Sequence, residues 1–442
     1  MALDSIRNIF KIHELRQRIL FTVGLLVVYR MGGHIPTPGV DLTAIERFNP
    51  GGLLSLFDLF VGGAFQKVTI FSLGIMPYIS ASIIIQLLGA VIPFFQRLQK
   101  EGEEGRRKIT QYTRYGTVLI AGMQAMGTAI YLSEQTNPSL LLAGVSKINF
   151  ILMTILTFTS GTIFIMWLGE RITERGIGNG ISLIIFIGII ARLPIAVMDE
   201  LQKFFPGVFG LTGAPRGNII KELLIIAFMI VIVAAVVLVT RSQRRIPVQY
   251  AKRVVGRKVY GGTSTHIPLS VNTAGIIPII FAQSIMFAPQ TVFSFFPDSD
   301  FILMLSGWFD PRAPLYMVSY ALLIIFFAYF YTAIVFNPVD LADNMKKQGG
   351  FIPGIRPGQR TAEYIDRVLT RITLPGAFFF AVIAILPNIM SRMTDVQFYF
   401  GGTGLLIVVG VALDTLQQIE SHLLMRHYDG FIKKGRMKGR YS

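Results

Sequence analysis

The chain of 442 residues has no cysteine. Disulfides, thiol nucleophiles and cysteine-ligated metal centres are therefore excluded. Charge is scarce as well: Asp, Glu, Lys and Arg together make up 15% of the residues, while 52% are apolar. With a mean hydropathy of +0.58, such a chain reads as a polytopic membrane protein rather than a water-soluble domain. Negative charge is the scarcer sign, 25 Asp and Glu against 41 Lys and Arg, which leaves a formal charge of +16. Ionisable groups are nearly missing from the long apolar runs, with Asp414 the clearest exception. An ion-coupled carrier normally needs carboxylates or His in mid-membrane, so their scarcity favours a passive path with an apolar barrier. Paired carboxylates within the apolar runs, His/Asp/Glu metal spacing, a nucleophile elbow and a phosphate-cradling loop before Lys-Ser/Thr are also missing. No enzymatic activity, cofactor or metal is expected. The N-terminal MALDSIRNIFKIHELRQR has neither a continuous apolar core nor a small-residue cleavage site, so no cleavable signal peptide is expected.

What the chain does have is a series of ten apolar runs near membrane length, about 19–33, 71–92, 115–133, 149–168, 181–198, 219–240, 273–293, 315–336, 369–387 and 402–421. The loops on one side of these runs carry 31 of the 41 Lys and Arg residues, and those on the other side carry 9. The positive-inside rule assigns both termini to the cytoplasm of a multi-pass protein in the cell membrane. The basic excess in the loops suits anionic lipid head groups or an acidic partner such as RNA. Ten spans divide into an N-terminal half, 1–198, and a C-terminal half, 219–425, joined by an external hinge at 199–218 and followed by a basic tail at 426–442. Five spans per half place the halves in opposite orientations, which is the arithmetic of an inverted repeat. A weak internal echo, GIMPYI at 74–79 and GIIPII at 275–280, fits that reading.

Two loops on the basic side are large and turn-rich. In 241–271, the runs IPVQY and RVVGRKVY with a Gly261-Gly262 turn predict a β-hairpin. In 337–367, a short helix is followed by GFIPGIRPG, whose Gly354, Pro357 and Gly358 predict a tight turn with Arg356 at an exposed tip. GIGNG at 176–180 is read as a turn that opens the fifth span.

The second span, FSLGIMPYISASIIIQLLGAVIP, is a poor lipid-facing anchor. It carries Pro77, Ser80, Ser82 and Gln86, and its Ile75, Ile79 and Ile83 form one ridge. Just before it, GGLLSLFDLFVGGAF at 51–65 is an apolar segment too short to span, bracketed by glycine pairs. Candidates for an apolar barrier are Ile75, Ile79, Ile181, Ile185, Ile280 and Ile407, each near a Gly, Ser or Pro. Taken singly, each also fits an ordinary lipid-facing isoleucine, and periodicity does not gather them into one ring. Ser82, Gln86, Gln124 and Asn272 are costly against lipid. They suit either plain helix-to-helix hydrogen bonding or a seam that opens.

Several stretches resemble the SecY family, the channel subunits of the bacterial Sec translocon related to the eukaryotic translocon alpha subunit. They include IPTPGVD at 35–41, IFSLGIMPYISASIIIQLL at 70–88, MWLGERITERGIGNGISLIIF at 166–186, QRRIPVQYAKRVVGRKVYGG at 243–262, STHIPLSVNTAGIIPIIFA at 264–282 and FNPVDLADNMKKQGGFIPGIRPGQRTAEYID at 336–366. The resemblance implies an all-α polytopic fold, with two inverted pseudo-symmetric halves of five helices forming a clamshell around a central pore. It implies that the six isoleucines form the pore ring. The half-helix at 53–63 would be a plug, made by Leu53, Leu54, Leu56, Phe57, Leu59, Phe60 and Val61. Ser82, Gln124 and Asn272 would be polar contacts of a lateral gate. SecA or the ribosome would dock on Arg244, Arg245, Lys252, Arg253, Arg257, Lys258 and Arg356. The implied partners are SecE, SecG, the SecA ATPase, the ribosome, and signal peptides or preprotein chains. The implied function is passive conduction of unfolded preproteins, with lateral release of membrane segments into lipid. The competing expectations are a secondary transporter that depends on Asp414 and a non-conducting scaffold that anchors ribosomes.

Overall fold

The computed structural model describes residues 12–45, 47–48, 52–135, 140–192, 219–250, 253–255, 258–260, 264–272, 274–293, 307–311, 313–394 and 401–434, with a few isolated positions between them. The expected hinge at 199–218 lies outside the described residues. The chain divides into two compact units. One comprises Met1–Asp199, Phe287–Ser306 and Val411–Ser442, the other Glu200–Met286 and Gly307–Gly410.

The helices of the first unit are α1 (His13–Gly32), α2 (Leu42–Ile45), α3 (Gly52–Val61), α4 (Met76–Val91), α5 (Pro93–Lys100), α6 (Glu103–Glu134), α7 (Lys147–Arg175) and α8 (Gly180–Ile190). Then come α9 (Ile219–Arg241), the strands β1 (Gln243–Tyr250), β2 (Arg253–Val255), β3 (Lys258–Tyr260) and β4 (Ser264–Ser270), and α10 (Ile277–Phe293). The chain closes with α11 (Pro314–Val335), α12 (Pro338–Lys347), β5 (Gly350–Phe351), α13 (Gln359–Thr394) and α14 (Gly401–Lys434). Each of the ten expected spans falls on one of these helices. Among the described residues five stretches are long and apolar enough to cross a membrane, Glu103–Glu134, Lys147–Arg175, Pro314–Lys347, Gln359–Met390 and Thr403–Leu423. The pair α4–α5 makes a sixth if counted as one, although it bends by 98°. The break sits at Ile92, whose extended backbone is what a residue before proline adopts.

Two expectations are corrected in detail. The second span is not helical from Phe71: residues 70–75 form turns and α4 begins at Met76. Gly74 takes a left-handed φ of 57° there, and Pro77 occupies the first turn, where its missing N–H costs nothing. The hairpin in 241–271 also pairs differently. β1 runs antiparallel to β4, with Ile246 opposite Ile267, whereas β2 and β3 pair with each other, Val254 opposite Val259. Gly261 and Gly262 lie outside the described residues. The reason is alternation: Ile246 and Val248 of β1 and Leu269 of β4 point to one buried face, and STHIPLS supplies that alternation as well as RVVGRKVY does.

The echo between GIMPYI and GIIPII is structural. Gly74 N–H donates to Phe71 O at 2.9 Å, and Gly275 N–H donates to Asn272 O at 3.4 Å. Gly275 is likewise left-handed, φ 64°. At the sixth position of each motif, Ile79 N–H bonds Ile75 O and Ile280 N–H bonds Ile276 O, both at 3.2 Å. Ile79 and Ile280 thus hold the same place in the two copies of one turn-to-helix device.

At the start of α2, Asp41 accepts from Thr43 Oγ1 at 2.8 Å and from Thr43 N at 2.9 Å. These bonds, the side-chain one first, hold its carboxyl below the usual range.

Candidate functional site

In the first unit the site is built around α3. Its sequence GLLSLFDLFV is apolar except for Ser55 and Asp58. Phe57, Leu59, Phe60 and Val61 are buried, and Leu54 is half-buried. Leu53 and Leu56 lie on the helix, but their side chains are outside the described set. Phe57 and Phe60 both present edge-to-face contacts to Phe287 of α10, and Phe57 makes a second one to Phe65. The C-terminal end of α3 lies against α8 backbone to backbone. A Cβ on Gly62 would fall 2.8 Å from Gly188 O, and one on Gly188 would fall 2.6 Å from Phe60 O. Glycine at both positions is what permits that approach.

Polar groups close around the same end. Arg30 Nη1 donates to Gly62 O at 3.0 Å, and Tyr29 Oη reaches Val61 O at 3.5 Å. A cation beside the last carbonyls of a helix is the favourable end of its dipole. Asp58, 2% exposed, accepts from Gln66 N at 2.8 Å and pairs with Arg192 at the end of α8. Arg192 Nη2 also bonds Gln66 Oε1 at 3.3 Å. These five polar residues were not singled out from the sequence. The legible signal was a carboxylate placed inside a Leu- and Phe-rich segment, matched by Arg192 closing an isoleucine-rich one.

The expected pore-ring residues divide between the units. Ile75 caps α4 and Ile79 is one turn on, while Ile181 and Ile185 occupy consecutive turns of α8. Ile280 is on α10 and Ile407 on α14. All are buried except Ile181, which is half-buried with Cγ1 packed over Gly169 of α7. The GIGNG turn is held from several sides. Asn179 Oδ1 caps α8 by accepting from Ile181 N and Ser182 N, Thr22 Oγ1 takes Ile177 N–H at 3.0 Å, and Gln418 Oε1 takes Gly178 N–H at 2.9 Å.

Of the expected gate residues, Ser82 accepts from Gln86 Nε2 at 3.0 Å, one turn away on the same helix. Gln124 is half-buried on α6, and Asn272 supplies its carbonyl to the turn before α10. Asp414 is exposed on α14.

The second unit unites the two large loops that the sequence presents separately. β1 lies between β4 and β5, with Gln249 opposite Phe351 and Tyr250 opposite Gly350. Ile246, Val248, Leu269, Met345, Ile352 and Ile365 form one buried cluster beneath the sheet. Pro247 is tolerated because β5 meets β1 only at 249–250. Arg244 and Arg245 stand exposed on β1, and Arg356 is exposed on the 352–358 turn, where Thr361 Oγ1 bonds its carbonyl at 3.0 Å. Arg253 and Lys258 lie on β2 and β3 with side chains outside the described set; Lys252 and Arg257 lie wholly outside it. Ile365→Ala is expected to destabilise this module by about 2–5 kcal/mol, through lost burial and the cavity left behind. Faster hydrogen exchange at the β1 amides would register it; unchanged protection would mean that the cluster does not hold the strands.

A family model described as SecY matches residues 69–416. The protein translocase subunit SecY of Thermotoga maritima is 44% identical over 445 residues, covering 99% of both chains. A solved SecY channel, whose plug domain is described as stabilising the closed state and maintaining a membrane seal, superposes with a TM-score of 0.65 at 19% identity. That match covers 95% of this chain and 94% of the other. Sec61 in the canine ribosome–channel complex gives a TM-score of 0.62 at 18% identity with the same coverage. A match over most of the length to the family model, a relative at this identity and the shared channel fold together place the chain in the SecY family.

Proposed function

We propose that the chain is the central, passive protein-conducting channel of a Sec translocase. The carrying observation is α3, an apolar half-helix too short to span, seated by Arg30, Arg192 and Gly188 and tied through glycine turns to α4. A helix with that build can leave and return without unfolding the spans around it. In this reading α3 is the plug, and Ile75, Ile79, Ile181, Ile185, Ile280 and Ile407 form the constriction. Such a ring closes around nothing or around any passing chain without gripping it, and a dewetted apolar constriction blocks ions without a charged gate. Ser82, Gln124 and Asn272 border the lateral gate, through which apolar segments leave for lipid at roughly −0.3 to −0.6 kcal/mol per central Leu or Ile.

The chain's 1–198 and 219–425 segments form the two halves. Its basic loops and both termini face the cytoplasm, and the membrane is the cell membrane. SecE and SecG are the accompanying subunits. The driving force comes from the SecA ATPase or the translating ribosome, docked on Arg244, Arg245, Lys252, Arg253, Arg257, Lys258 and Arg356; the similarity to a ribosome-bound Sec61 supports that surface. Asp414, on which an ion-coupled carrier would depend, stands exposed on α14, with no cluster of His or carboxylates among the described residues.

The test is reconstitution in phospholipid vesicles with SecE and a driving motor. ATP-dependent protection of an unfolded secretory precursor from external protease is the expected result. Ion-coupled uptake of a small solute, abolished by Asp414→Asn, would replace the channel reading with a transporter.

A further inference from the structure

The seat of α3 holds a feature that apolar packing alone does not require: a buried carboxylate on α3, matched to a guanidinium at the end of α8. We propose that the Asp58–Arg192 ion pair, seconded by Gln66, is the latch that holds α3 in its seat and sets its register there. The proposal rests on the reading of α3 as the plug.

Three observations carry it. First, Asp58 is the one acidic residue on α3, and it is buried. Its Oδ1 takes the N–H of Gln66, which folds the connector 62–66 back onto α3, while Oδ2 faces Arg192. Gly63 N–H closes the same fold by bonding Asp58 O at 2.9 Å. Asp58 therefore makes helix and connector one piece, and Arg192 grips that piece twice, at Asp58 and at Gln66 Oε1.

Second, the hydrogen bonds that α1 makes to this end are indifferent to sequence. Tyr29 and Arg30 meet the carbonyls of Val61 and Gly62, which any helix of this length would offer. Phe57 and Phe60 meet Phe287 through apolar faces, and burial of apolar area has no fixed direction along the helix. Arg192, by contrast, meets polar side chains of the moving piece, those of Asp58 and Gln66.

Third, the fit is close. A Cβ on Gly63, whose φ is 87°, would fall 3.1 Å from Arg192 Nη2. The connector passes directly under the guanidinium, so Arg192 covers the turn about which α3 would swing.

The two partners are not equivalent. Loss of Arg192 strands a buried carboxylate, whereas loss of the Asp58 charge leaves an arginine that is about a quarter exposed and still bonds Gln66. The full-length chain, purified with its accompanying subunits and reconstituted in phosphatidylcholine–phosphatidylglycerol vesicles, is to be assayed for resting ion conductance. Arg192→Gln should raise conductance about tenfold or more, because one side of a buried pair has been removed. Asp58→Asn should raise it less. The double variant Asp58→Asn/Arg192→Gln, whose neutral amides can bond each other, should leak less than Arg192→Gln alone; a role limited to folding would give additive damage instead. Deletion of residues 53–63 is the control. If the deletion leaks and Arg192→Gln does not, the latch is wrong and the plug reading stands. If the deletion does not leak, the plug reading itself falls. Should Arg192→Gln fail to assemble, Asp58→Asn carries the test, and parental conductance in that variant overturns the latch.

Discussion

Arg356→Glu is expected to cut partner-driven protein transport at least about tenfold while leaving the chain folded, since reversing a docking charge replaces an attraction by a repulsion worth several kcal/mol. The fold should survive because, among the described residues, the turn does not use the guanidinium. The turn is anchored from below by Ile352, buried in the cluster with Ile246, Val248 and Ile365. It is shaped by Gly354 and Gly358, whose φ values of 80° and 101° favour glycine. Among the described residues, Arg356 is engaged through its carbonyl, by Thr361. The residue is therefore held in place by its backbone while its charge stays free to meet a partner. The measurement pairs transport of a precursor into vesicles with thermal unfolding of the same preparation. Transport at the parental rate would remove Arg356 from the docking surface. Loss of both transport and thermal stability would show that the turn depends on the side chain after all.

Much of this was legible in the sequence because membrane spans are written in composition. Ten runs near membrane length fall on ten helices, since only a helix satisfies its own backbone in lipid. The Gly354 to Gly358 turn and the helix opened by Asn337 and Pro338 were legible for the same kind of reason: those residue types leave the backbone few alternatives. Strand pairing was not. β1 had two alternating partners within reach, and the choice of β4 depends on the cluster beneath, which draws on Met345 and Ile365 about a hundred residues away. The start of α4 was misplaced because Phe71–Ile75 is as apolar as the helix it precedes; the turn is decided by Gly74 and by contacts from α1 and α7. The clasp on α3 escaped notice for a different reason. Asp58 and Arg192 are 134 positions apart, and their pairing exists only once α8 has packed on α3.

Gly161→Ala is expected to destabilise the protein by about 3 kcal/mol, whereas Gly122→Ala, the same change on a neighbouring helix, should be neutral or stabilising by up to about 1 kcal/mol. Both glycines lie within long helices, α7 and α6, so helix propensity favours alanine at each. What differs is the space. Nothing lies within 4 Å of a Cβ on Gly122, but one on Gly161 would fall 2.0 Å from the carbonyl oxygen of Ile70. That oxygen belongs to a backbone with no room to retreat. Ile70 N–H is bonded to Ile35 O at 3.0 Å, and Thr37 grips Val68 O through both its N–H and its hydroxyl. Val68 is itself held at φ 44°, a left-handed conformation that a β-branched residue adopts only under constraint. Phe71 is stacked between Tyr29 and Phe164. The methyl must therefore push α7 away from the turn that leads to Ile75. Thermal unfolding of the two variants in detergent should move in opposite directions or differ by this margin. Because the displaced turn carries Ile75, Gly161→Ala should also raise resting ion conductance, and Gly122→Ala should not. Equal behaviour of the two variants would mean that the contact between α7 and Ile70 is looser than its geometry shows, and that the turn before α4 is positioned from the α1 side alone.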